Sequence, residues 1–196
     1  MISSAFKFGT ELLISVRALL CWIFRKERTF KEELIVADKV DESLNKLMKD
    51  TGADRAYVFQ FHNVTLFYTG AHILKMSNTN EVALKGISRE QLNHQNIITD
   101  PYRFLINGLF DKEVNECVNT EELEDFNCSI LMDNRGVKSF ALRLMMDKNK
   151  RALGFVGIDF VKDNKELDDQ SRLSLKQATN SICNILIYGK SKEEKK

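Results

Sequence analysis

The residues best suited to chemistry gather on one stretch, Ala53-Asp54-Arg55-Ala56-Tyr57-Val58-Phe59-Gln60-Phe61-His62-Asn63. It is rich in aromatic and branched residues, as strands are, yet it ends on an amide, an imidazole and a second amide. Successive side chains of a strand point to opposite faces. Tyr57, Phe59 and Phe61 therefore share one face, and Ala56, Val58, Gln60 and His62 share the other. Burying each ring is worth roughly 1.5–3 kcal/mol, so the aromatic face is expected to meet covering helices. Gln60, His62 and Asn63 would then look into a loop-side pocket of mostly apolar walls and few polar groups. Lys75 and Ser77, on the next apolar run "AHILKMSNT", join them there, with Asn78, Asn80 and Glu81 close behind. Asp159 stands in the apolar run "LGFVGIDF". A carboxylate in such surroundings is costly unless paired, and Lys75, Arg143 and His62 are its candidate partners. Asp159 reads as a fold-supporting acceptor or as a ligand contact. His62 reads either as a hydrogen-bonded structural imidazole or as a ligand contact. The candidate ligand-binding set is Gln60, His62, Asn63, Lys75, Ser77 and Asp159.

Other chemistry finds less support. Of the four cysteines, Cys21, Cys117, Cys128 and Cys183, none forms a CxxC pair, and no histidine stands at zinc-finger spacing from them. Buried, reduced thiols in a reducing cytosol fit this scatter. His72 and His94 read as surface residues, and no metal cluster is legible. No catalytic residue and no cofactor are expected. A formal net charge of +1 argues against the broad basic footprint of a nucleic-acid binder and leaves room only for a local patch. With 196 residues, 43% hydrophobic and 29% charged, the chain suits one buried domain with an appendage.

The elements that would position these groups follow from periodicity. Residues 1–30 form an amphipathic helix. Leu12, Val16, Leu19, Leu20 and Ile23 lie on one side, with Ser4, Lys7, Glu11, Ser15 and Arg25 on the other. Glu11 and Arg17 cut the apolar run below the roughly 20 residues of a membrane-spanning helix. Trp22, Arg25, Lys26 and Arg28 suit a helix lying on a membrane surface. The same face would also suit a partner chain. A second helix begins at Phe30, buries Ala37, Val40, Leu44 and Leu47, and ends at Gly52. After the two strands, "GISREQLNHQNI" reads as a short helix capped by Ser88, with Gln91 completing a capping box. Pro101 marks a turn or a helix start. Residues 111–136 are ambiguous, one short strand plus loop or helix. Val137–Met146 and Leu153–Phe160 form a hairpin across Asp147-Lys148-Asn149-Lys150. Leu167–Ile187 is a helix with Leu173, Ala178, Ile182, Ile185 and Leu186 inward, and residues 191–196 are a charged tail.

In this order the chain resembles a GAF domain. "TGADRAYVFQFH", "RGVKSFALRLMMDKNKRALGFVGIDF" and the closing helix carry the resemblance over about residues 34–187. It implies an α+β fold, an antiparallel sheet with the N- and C-terminal helices on one face, over residues 31–190. It also resembles GAF-like proteins of bacteria and phages with an N-terminal hydrophobic helix. The chain departs from cyclic-nucleotide-binding members in lacking an Asn-Lys-x-Asp-Glu type signature, and no bilin-attachment context surrounds a cysteine. The resemblance implies a non-enzymatic ligand-sensing or regulatory domain in the cytoplasm. Its ligand would be a small molecule. Residues 1–28 would tether it to a membrane surface, and its helices would join it to a second copy or another protein. Two other readings stand beside it: an interaction protein of a larger assembly, phage included, with a vestigial pocket, and a thiol-based reductase on Cys117 and Cys128.

Overall fold

The computed structural model describes residues 28–66 and 72–189, and only the backbone of residues 63–65 and 72. The helix expected over residues 1–30 and the tail expected over 191–196 therefore lie outside the described residues. No described helix is long and apolar enough to cross a membrane.

The first described element, α1 (Phe30–Thr51), opens on a capping box. Thr29 Oγ1 accepts from the Glu32 amide at 3.3 Å, and the Glu32 carboxylate accepts from the Thr29 amide at 2.7 Å. Val36, Val40, Leu44, Leu47 and Met48 are buried along one stripe, and Gly52 ends the helix at φ +67°. Six strands follow among shorter pieces: β1 (Arg55–Leu66), β2 (His72–Ala83), β3 (Ile97–Ile98), β4 (Val114–Cys117), β5 (Ser139–Met146) and β6 (Ala152–Phe160). They form one antiparallel sheet in the order β3-β2-β1-β6-β5-β4. Between β3 and β4 lies α2 (Arg103–Lys112), entered through a 3-10 turn at Asp100–Tyr102 that contains Pro101. Between β4 and β5 lies α3 (Phe126–Asn134), whose N-cap Asp125 accepts from the Cys128 amide. The chain closes on α4 (Asp169–Tyr188), capped by Asp168 and ended by Gly189.

The sheet is covered on both faces. Ala56, Val58, Val156 and Ile158 pack with Val40, Leu44 and Leu47 of α1 and Leu175, Ile182 and Ile185 of α4. Tyr57, Phe59, Leu142 and Phe155 pack on the other face with Leu105 and Leu109 of α2 and Met132 of α3. The expected placement of both terminal helices on one face is thus correct. The expected direction of the rings is not: they meet the loop side. Leu173, expected inward, is 45% exposed, and Leu175 takes the inner place.

Two local departures have identifiable causes. "GISREQLNHQNI" forms only a 3-10 turn at Gln91–Asn93, and Ser88 caps nothing. The amides that would support a helix serve β2 instead. Gln91 Nε2 donates to the Thr79 carbonyl and Gln95 Nε2 to the Asn78 carbonyl, each at 2.7 Å. Those carbonyls are free because β2 bulges: Val58 pairs with Asn80 and Phe59 with Asn78, leaving Thr79 extra. The bulge turns Asn78 to the loop side, while Asn80 donates to Asp41 of α1 at 2.8 Å.

Asp54 ties the start of β1 to the end of β6. Its Oδ2 accepts from the amides of Val161 at 2.8 Å and Lys162 at 3.1 Å. Burial opposes the charge, but those amides and the Lys162 ammonium hold the carboxyl below its ordinary value. A carboxyl lowered in the fold contributes stability that is complete above its unfolded value near about 3.9 and is lost as pH falls through the folded value. Urea midpoints should therefore fall on acidification below about pH 4, and Asp54→Asn should flatten that fall. Equal acid losses in both proteins would contradict the assignment.

Candidate functional site

A cavity opens on the loop side. Its floor is the aromatic face of the sheet. Phe59 and Phe155 stack there with centroids 5.0 Å apart and planes 13° from parallel. Tyr57 meets Phe59 edge-on at 5.7 Å. The Tyr57 ring lies over Gly157, where an added Cβ would stand 2.3 Å from a ring carbon. Glycine is required there by close approach, not by a special φ. The roof is Leu105, Ile106 and Leu109 of α2 with Leu131 and Met132 of α3, and Met76, His94, Ile97 and Tyr102 close the side toward β2 and β3. The cavity is narrow, with a volume of about 20 Å³. As it stands it has room for one or two waters.

A buried ionic cluster underlies one end. Asp159 is wholly buried and accepts three hydrogen bonds. Arg55 Nε and Arg135 Nη2 donate to its Oδ2 at 3.0 and 2.9 Å, and the Tyr57 hydroxyl donates to its Oδ1 at 2.9 Å. Arg55 stands directly opposite Asp159 in the β1–β6 register. Arg135 follows the last turn of α3, where Gly136 at φ +64° ends the helix. Arg55 also donates to the Ser88 carbonyl at 3.0 Å and the Arg135 carbonyl at 3.2 Å. The Arg135 guanidinium carbon lies 4.7 Å from the Tyr57 ring centroid, a cation–π contact. Burial, reinforced by the Asp159 charge, drives the Tyr57 phenol far above its ordinary value, so it stays a donor. Glu81 is buried nearby and accepts from the Asn78 side chain and, at 2.8 Å, from the Glu90 amide.

The expected site residues are split by this arrangement. Asp159 lies on the loop side, in the cluster beneath the cavity, and its partners are Arg55, Arg135 and Tyr57 instead of Lys75, Arg143 or His62. Gln60 and His62 share the face of Val58, with Ser77 and Lys75 opposite them across β1–β2. Gln60 still pairs with Gly154 of β6, His62 and Lys75 lie where the β1–β2 ribbon runs on past that pairing, and none of the four lines the cavity. His62 Nε2 and Ser77 Oγ are 2.9 Å apart, and Gln60 Nε2 donates to Thr79 Oγ1 at 3.0 Å. Asn63 pairs with Leu74 in register, and its side chain lies outside the described residues. His94, expected at the surface, is half-buried and lines the cavity. Periodicity missed Arg55, Arg135 and His94. The signals for the first two were an arginine at strand start, two residues before a tyrosine, and an arginine before a helix-ending glycine.

No group of three or more potential metal ligands occurs among the described residues. Burial pushes the Cys128 thiol up to about 12 and raises Cys117 and Cys183 as well. Reactive thiols are displaced the other way.

No protein-family model matches the sequence, and neither does any curated protein. Solved structures do match. The chain is similar to the blue-light-absorbing PixJ GAF domain of Thermosynechococcus elongatus, with TM-score 0.64, 10% identity, and coverage of 82% of this chain and 89% of that one. It is also similar to a GAF domain region from Geobacter sulfurreducens, with TM-score 0.60, 15% identity and coverage of 80% and 96%. The chromophore-binding domain of Stigmatella aurantiaca bacteriophytochrome matches with TM-score 0.57, 13% identity and coverage of 91% and 60%. The fold is that of GAF domains.

Asp159 carries the polar cluster. Asp159→Asn removes the charge between two buried guanidiniums and should cost about 3–5 kcal/mol in urea unfolding. His62→Ala, on the ribbon, should cost about 1 kcal/mol or less. Similar costs for the two would contradict the cluster's role.

Proposed function

We propose that this chain is a ligand-sensing or regulatory domain that binds a small molecule in the loop-side aromatic cavity. The observation that supports this most directly is a stacked Phe59–Phe155 floor beside a half-buried histidine and a buried arginine, under a roof of two short helices. A mostly apolar hollow with few convergent polar groups is the usual form of a small-molecule site. The solved structures that share the fold include light-absorbing and chromophore-binding domains, which agrees with the reading without naming a ligand. Occupancy would press on α2 and α3. Binding that favours one arrangement of these helices shifts the population toward it.

A thermal-shift screen of small molecules against the full chain tests this. A ligand at 100 times its dissociation constant adds about 2.7 kcal/mol, or about 5–10 °C in Tm. Ile106→Trp, which fills the roof, should abolish the shift. Hits that stabilise both proteins alike would contradict the cavity reading.

Attachment through residues 1–28 to a membrane surface is part of the proposal and rests on their amphipathic sequence. Full-length chain should float with anionic liposomes while a chain starting at Lys31 stays behind. Equal flotation of the two would refute the tether.

A further inference from the structure

Two residues that line the cavity carry polar atoms whose hydrogen bonds the protein leaves unmade. The first is a donor. The Arg135 side chain is 4% exposed, its Nη2 is held by Asp159, and its Nε–H has no acceptor. Native structures keep few buried N–H groups in that state. The second is an acceptor. His94 Nδ1 lies 2.8 Å from the Glu90 carbonyl, which can only accept, so Nδ1 carries the proton. Burial, with the nearby Arg135 charge, holds the imidazole below its ordinary value, so the ring is neutral at pH 7. Its Nε2 is a bare lone pair without a hydrogen-bond partner among the described residues.

Charge then narrows the occupant. On this face Arg55 and Arg135 stand against Asp159 and Glu81, two positive groups against two negative ones. An incoming anion finds no surplus positive charge. Nη2 is engaged by Asp159, and Nε is the donor that the protein leaves unpaired. A single carbonyl oxygen needs only Nε. Phe59 and Phe155 stack on each other and leave the outer side of the pair to an aromatic occupant, which suits a ring.

Resting on the cavity reading above, we propose that the ligand is a flat, uncharged molecule with an amide-like edge. Its carbonyl oxygen accepts from Arg135 Nε, its N–H donates to His94 Nε2, and its ring packs against the Phe59–Phe155 pair. The half-buried Ile106 and Leu131 turn outward to admit it.

Benzamide, benzoate and toluene test this, because they share a ring and a similar outline and differ in the edge. Only benzamide offers both an acceptor and a donor. Binding of each to the full chain at pH 7 is measured by ligand-observed NMR titration. Benzamide should bind at least about tenfold tighter than either of the others. In His94→Phe that preference over toluene should shrink by about tenfold while toluene binding persists. Arg135→Lys keeps a positive charge for Asp159 but removes Nε–H, and should show the same loss. Should that variant not fold, His94→Phe decides alone. Equal binding of the three probes overturns the amide edge and leaves the cavity reading standing. Tightest binding by benzoate or toluene overturns it likewise. Failure of all three to bind overturns this proposal, and the thermal-shift screen then judges the cavity separately.

Discussion

A carboxylate without access to water, Asp159, ties together the parts of this domain that surround its cavity. Three donors converge on it from three places: Arg55 across the sheet, Tyr57 on the same strand as Arg55, and Arg135 at the end of α3. A buried charge is tolerated only when its pairing and remaining hydrogen bonds are complete. Satisfying Asp159 therefore fixes the geometry of its partners. Arg135 anchors the end of α3 to the sheet, which sets one side of the roof. Tyr57 is held over Gly157, and its ring becomes part of the floor and a platform for the guanidinium. The Arg135 carbonyl and the Ser88 carbonyl take the other ends of Arg55, so the loop after β2 is bound into the same cluster.

The two faces of the sheet are built differently. Toward α1 and α4, small and branched residues such as Ala56, Val58, Val156 and Ile158 allow long helices to approach closely. On the opposite face, rings stand from the sheet and the cover is made of α2, α3 and the segment around His94. That segment is held by side-chain amides instead of a regular ladder. Gln91 and Gln95 fill the carbonyls that the Thr79 bulge leaves open, and the Asn78 amide donates to the His94 carbonyl at 2.8 Å. The bulge thus has a direct structural consequence: it brings His94 against Phe59, with ring centroids 6.1 Å apart.

Most of the architecture was legible in the sequence, because alternation, helix periodicity and turn residues are local signals. The α1 stripe ending at Gly52, the β5–β6 hairpin and α4 capped near Asp168 all follow from them. Alternation also sorted Tyr57, Phe59 and Phe61 from Gln60 and His62. It could not say which set faces which layer, since both faces of this sheet are covered. The glycine opposite Tyr57 was the missing clue, because a ring lying across the neighbouring strand needs a residue without Cβ there. The partners of Asp159 escaped for another reason. Arg55 and Asp159 are 104 positions apart, and only strand register brings them together. His94 escaped because its place depends on a bulge that no local pattern in β2 announces.

The central claim is that the aromatic face, not the ribbon face carrying Gln60, His62, Lys75 and Ser77, receives the ligand. Intermolecular nuclear Overhauser effects from a hit of the small-molecule screen to methyl-labelled protein test this most directly. The account predicts contacts to the methyl groups of Leu105, Leu131 and Met132. Contacts to Val58 and Val156 with none to that roof, or shifts confined to His62 and Ser77, would contradict it.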